Sequence, residues 1–91
     1  MNPTLMNKIL KAVARARAKH PHFADDQNHA LALAIEELGE LAQAINDNRP
    51  FEEVEGEALD TIAVIVRMIE GDYKRKNNEE KEKVENGLLV M

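Results

Sequence analysis

The sequence predicts an all-α fold, a small bundle of three long helices followed by a charged C-terminal helix and completed by oligomerisation. Three observations predict it. Apolar residues recur at three- and four-residue spacing in three successive segments. Nothing alternates with period two over a useful length, and aromatic residues make up only 3% of the chain, so strands have little to be built from. Punctuation is sparse: Pro3, Pro21 and Pro50, with Gly39, Gly56, Gly71 and Gly87, separate helices but do not supply the many turns of a β fold.

The first helix is expected from Pro3 to Lys19. Asn2 is a capping residue and Pro3 suits the first helical position. Leu5, Ile9, Ala12, Val13 and Ala16 form its apolar stripe. Lys8, Lys11, Arg15, Arg17 and Lys19 make the rest basic, and the cations of the last turn complement the helix dipole. "HPHFADD" follows as a loop, since the residue before a proline disfavours helix. The second helix starts near Asp25 or Asp26, either of which can cap it, and ends near Ile45. Leu31, Ile35, Leu38, Ala42 and Ile45 cluster on one side of it, which predicts a buried face. "NDNRP" is a compact turn. The third helix begins at Pro50 or Phe51, carries Glu52, Glu53 and Glu55 at its positive end, and runs to about Glu70, with Gly71 as its stop. The densely charged "DYKRKNNEEKEKVEN" is expected to form a solvated helix from Asn78 to Asn86, ended by Gly87. The final "GLLVM" is apolar and short.

Size and composition narrow the function. The 91 residues make one domain, 1–91, and a chain this small is marginally stable alone. With no cysteine, disulfides, thiolate metal sites and thiol nucleophiles are excluded. A net charge of −5 lacks the basic footprint of a duplex nucleic-acid binder. An acidic protein handles a nucleoside triphosphate only with a metal cation between its carboxylates and the phosphates. No charged-then-apolar leader opens the chain and no apolar run reaches membrane-spanning length, so a soluble cytoplasmic protein is expected.

Two pairs of carboxylates point to that cation. On the second helix Glu37 and Glu40 lie about 60° apart, on a side shared with Leu33 and Ala44 and with no lysine or arginine. Glu36 lies further round, beside Gln43. Gly39 costs this helix roughly 1 kcal/mol against alanine, which a close helix contact would explain. The third helix, "ALDTIAVIVRMI", is apolar almost all round, so Asp60 is expected to be buried, and a buried carboxylate needs a partner or a metal. Glu57 and Asp60 are three apart and can converge on one ion. A short turn makes the two helices antiparallel neighbours and brings the pairs together. Four facing carboxylates repel, and a hard divalent cation removes the repulsion. Taken singly, a Glu-x-x-Glu on a helix is more often a solvated face, and Asp60 has Arg67 as an alternative partner. The conjunction carries the argument.

"EELGE", a 16-residue spacer and "EALD" resemble the E-E-x-x-E … E-x-x-D pattern of MazG-like nucleotide pyrophosphohydrolases, the all-α NTP pyrophosphatase superfamily. The resemblance covers roughly Asn28 to Asp72. It implies an α-helical subunit in a homodimer or dimer of dimers. It implies Mg2+, or Mn2+, held by Glu37, Glu40, Glu57 and Asp60. The implied reaction cleaves a (deoxy)nucleoside triphosphate between the α and β phosphorus atoms, giving the monophosphate and pyrophosphate, often as nucleotide-pool house-cleaning. A spare carboxylate, Glu36 or Glu37, is the candidate proton acceptor. Relatives contact the base where this chain has "HPHFADDQN", so Phe23 is a candidate to stack on a base and Asn28 to hydrogen-bond it. They bind phosphate downstream of the second motif, where Lys74 and Lys76 are candidates and a solvated tail is the competing reading. His20, His22 and His29 read as loop or surface histidines. The absence of tryptophan excludes the tryptophan-lined pocket of some relatives.

Two other classes compete. A non-catalytic helical interaction protein would keep the fold without the activity. A carboxylate-bridged di-iron protein needs Glu-x-x-His on its helices, and this chain offers only Asp26-x-x-His29.

Overall fold

The computed structural model describes residues 1–73, which form three helices: α1 (Pro3–Lys19), α2 (Gln27–Asn46) and α3 (Phe51–Ile69). The expected fourth helix at 78–86 and the apolar end at 87–91 lie outside the described residues.

Local chemistry sets the helix ends. Outside α1, the Asn2 side chain accepts the backbone N–H groups of Thr4 at 2.7 Å and Leu5 at 3.3 Å, satisfying two donors that have no intrahelical partner. Asp26, not Asp25, caps α2, accepting the His29 N–H at 2.9 Å. His29 returns the contact, its Nδ1 accepting the Asp25 N–H at 3.1 Å. This is the reciprocal logic of a capping box, with an imidazole in place of Glu or Gln. His29 therefore shapes a helix start.

α2 and α3 end in the same way. Asn48 (φ 55°) and Gly71 (φ 69°) adopt the left-handed conformation just past the caps of α2 and α3. The Arg49 N–H donates to the Ala44 carbonyl at 3.0 Å, and the Asp72 N–H to the Arg67 carbonyl at 2.9 Å, a Schellman closure in each case.

α3 is the central helix. It packs against both α1 and α2, which do not pack against each other. Ala12 and Val13 of α1 meet Leu59 and Ala63 of α3, with Ile9, Ala16, Ile62 and Val66 around them. A second cluster joins Phe23, Ala24, Ala30 and Tyr73, flanked by Leu33, Val64 and Met68. The backbones of Ala24 and Tyr73 meet in a parallel bridge. Arg67, only 2% exposed, ties the clusters together. Its Nε donates to Asp72 at 2.7 Å, its Nη1 donates to the Ala16 carbonyl at 3.0 Å, and its guanidinium lies 4.8 Å from the Phe23 ring centre. Phe23 also stacks on Tyr73 at 6.1 Å. Arg67 thus takes Asp72 as its partner, not Asp60.

α2 departs from expectation. Its buried residues are Ala30, Ala34 and Ala44, whereas Leu31, Ile35, Leu38 and Ile45 are all more than half exposed. The small side chains face α3 because they let two backbones approach closely, and the carboxylates share that face. The large apolar stripe points away from this chain. Gly39 does not sit at a close contact either, since a Cβ there would meet nothing within 4 Å.

Candidate metal centre

Residues 47–50 join α2 to α3. Glu40 interacts with Glu57 near that turn and Ala24 pairs with Tyr73 far from it, as an antiparallel hairpin requires. The hairpin brings the two motif halves face to face. One carboxylate oxygen each from Glu37, Glu40 and Glu57 lies within 4.8 Å of the others. Two oxygens, Glu37 Oε2 and Glu57 Oε1, are buried and have no hydrogen-bond partner.

The electrostatics follow from this crowding. Burial pushes the Glu37 carboxyl above the usual range, and the charges of Glu40, Asp60, Glu57 and Glu36 push it further. Burial also raises Glu57, followed by Glu40 and Asp60. A hydrogen bond between Glu57 and Glu40 contributes as well, and it exists only when one of the two carries a proton. Among the described residues nothing donates to Glu37 Oε2 or Glu57 Oε1 when these carboxylates are charged. Several other acids find cations: Glu55 pairs with Lys8 at 2.9 Å, Glu53 with Arg49 at 2.7 Å, and Glu70 and Asp72 with Arg17. Among the described residues no cation pairs with Glu37, Glu40, Glu57 or Asp60. Close, orphaned, all-oxygen donors suit a hard divalent cation such as Mg2+ or Mn2+.

Asp60 differs from expectation. It is exposed rather than buried, since α1 and α2 do not meet over α3 and leave it uncovered. It stands outside the close trio, although its charge acts on both Glu37 and Glu57. With Glu36 and Glu37 it lines a cavity of about 330 Å3 between the C-terminal half of α1, the middle of α2 and the C-terminal half of α3. Glu40 and Glu57 instead line a second cavity of about 280 Å3 beside the α2–α3 turn, so the trio stands between the two.

The other sequence-derived candidates fall in different places. Phe23 lines the larger cavity, but it is only 6% exposed and already contacts Tyr73 and Arg67. Asn28 is exposed on the first turn of α2 and does not line that cavity. Lys74 and Lys76 lie outside the described residues. The cavity also takes in Arg15 and Lys19 of α1. In the sequence these two are indistinguishable from the other cations of a basic helix face. Only the packing of α1 on α3 singles them out.

Family models, curated proteins and solved structures were compared with this chain, and none matches. Among the described residues no helix is long and apolar enough to cross a membrane.

Proposed function

We propose that this protein is a metal-dependent nucleoside triphosphate pyrophosphohydrolase, releasing a (deoxy)nucleoside monophosphate and pyrophosphate in nucleotide-pool house-cleaning. One observation carries the reading: three carboxylates from two helices converge within 4.8 Å, and two of their buried oxygens have no partner. The two-part motif and its resemblance to MazG-like enzymes supply the substrate class.

Glu37, Glu40 and Glu57 would hold the metal, with Asp60 at the margin of the set. When bound, Mg2+ supplies charge neutralisation on the phosphates and a more acidic water. Glu36 is exposed on the cavity wall beside Glu37 and takes the proton from the attacking water. The water oxygen joins the α-phosphorus, the bridging bond to the β-phosphate breaks, and pyrophosphate leaves with that bond's electron pair. These carboxylates project from α2 and α3, so the site rests on helices rather than on a loop.

A pyrophosphate-release screen across canonical and modified nucleotides, with Mg2+ or Mn2+, tests this. Turnover of at least one triphosphate, lost in Glu40→Ala together with Mn2+ binding, is the expected result. No turnover in the whole panel, with Mn2+ binding unchanged in Glu40→Ala, sinks the reading.

The outward stripe of α2 supports assembly into a homodimer or a dimer of dimers. It also favours the second reading, a non-catalytic helical interaction protein. Asp60→Asn separates the two. In the enzyme it lowers turnover. In an interaction protein it only relieves repulsion and raises the Tm.

A further inference from the structure

We infer that Arg15 and Lys19 of α1 bind the pyrophosphate end of the substrate across the cavity from the carboxylates. This rests on the pyrophosphohydrolase reading and gives the bound nucleotide a direction.

Arg15 and Lys19 are four apart on α1, so they stand one above the other on a single face. Both line the cavity that Glu36, Glu37 and Asp60 line from the other side. Among the described residues neither has an ionic partner, whereas Lys8, Arg17, Arg49 and Arg67 all do. The cavity therefore has an acidic wall and a basic wall, and only the basic wall attracts an anion directly.

Charge balance makes the basic wall necessary. A triphosphate brings more negative charge than one divalent ion can neutralise when carboxylates already share that ion. The remainder falls on the β- and γ-phosphates, which also gain charge as the bond to the α-phosphate breaks. A guanidinium and an ammonium one turn apart meet two adjacent phosphates, the guanidinium by paired hydrogen bonds and the ammonium as a point charge. The α-phosphate then lies nearest Glu37, where the water attacks. Such a site selects triphosphates, since a monophosphate has nothing to place on α1.

The test uses the full chain with Mg2+ and the double variant Arg15→Gln/Lys19→Gln. Lys11→Gln, a cation of the same helix outside the cavity, is the control. Inorganic pyrophosphate and a nucleoside monophosphate serve as separate calorimetric probes. In the double variant, pyrophosphate affinity is expected to fall by about tenfold or more, the scale of losing charge-assisted hydrogen bonds, while monophosphate affinity and Lys11→Gln stay at the wild-type level. With an active enzyme, KM for the triphosphate rises by a similar factor, more than kcat falls. Unchanged pyrophosphate affinity in the double variant overturns the assignment, and so does an equal loss for both probes. Because binding is read without turnover, a chain that hydrolyses nothing yet loses pyrophosphate binding on α1 would leave this site standing and remove the enzyme reading alone.

Discussion

Glu57 keeps one buried oxygen without a partner, a few ångströms from Glu37 and Glu40. Such a residue works against the fold whenever it is ionised and no cation is present. Its folded carboxyl holds a proton more tightly than it does in the unfolded chain, and so does that of Glu37. The sign follows. Their contribution is fully present below the ordinary glutamate value and is lost as pH rises through the higher folded value. In EDTA, the Tm should therefore fall between mildly acidic and neutral pH, and Mg2+ at neutral pH should restore it. Glu57→Gln should raise the neutral, metal-free Tm and flatten the slope. A melting series with equal slopes for wild type and variant would refute this. Arg67 works in the opposite sense. Replacing it with methionine removes the bonds to Asp72 and Ala16 and the contact with Phe23. The expected loss is about 2–3 kcal/mol, measurable by urea denaturation.

The helices pose a different question, which is where each begins, ends and faces. α2 ends on Asn48 in the left-handed region, so Asn48→Gly should be neutral or stabilising. Asn48→Ala should cost about 1 kcal/mol. Gly39 has open space around its Cα in this chain, and Gly39→Ala should stabilise α2 by up to about 1 kcal/mol. Both are read from denaturant midpoints. A loss of stability in Gly39→Ala would mean that another chain packs where this one leaves room. The start of α2 shows how an ambiguous sequence is settled: Asp25 and Asp26 are both competent caps, and the His29 ring, bonded to the Asp25 N–H, favours Asp26.

At the scale of the molecule, several large apolar side chains of the described residues stay uncovered. Leu31, Ile35, Leu38 and Ile45 stand on one outer face of α2, and Phe51 and Ile69 are exposed at the two ends of α3. A contiguous apolar stripe of this kind marks an interaction surface. Sedimentation at micromolar concentration should show a dimer or larger species, and Leu38→Glu should dissociate it. A folded, monomeric wild type would contradict that. In such a monomer Leu38→Glu would be nearly silent, because the side chain is already 54% exposed.

The three helices, the Asn2 cap, the Gly71 stop and the spacing that puts Glu37 with Glu40 and Glu57 with Asp60 are all legible in the chain. These depend on contacts within a few residues, and helical periodicity writes them into any short window. Which side of α2 meets α3 is a matter of packing instead. Two sides of that helix are apolar, and the side with alanines won because small residues allow close approach. The same choice turned the large apolar stripe outward and brought Glu37, Glu40 and Glu57 within reach of one ion, while the packing of α1 on α3 set Arg15 and Lys19 on the cavity that Asp60 also lines. Each is a relation between helices far apart in the chain. Such relations depend on how three helices share one small core, and no local pattern records that.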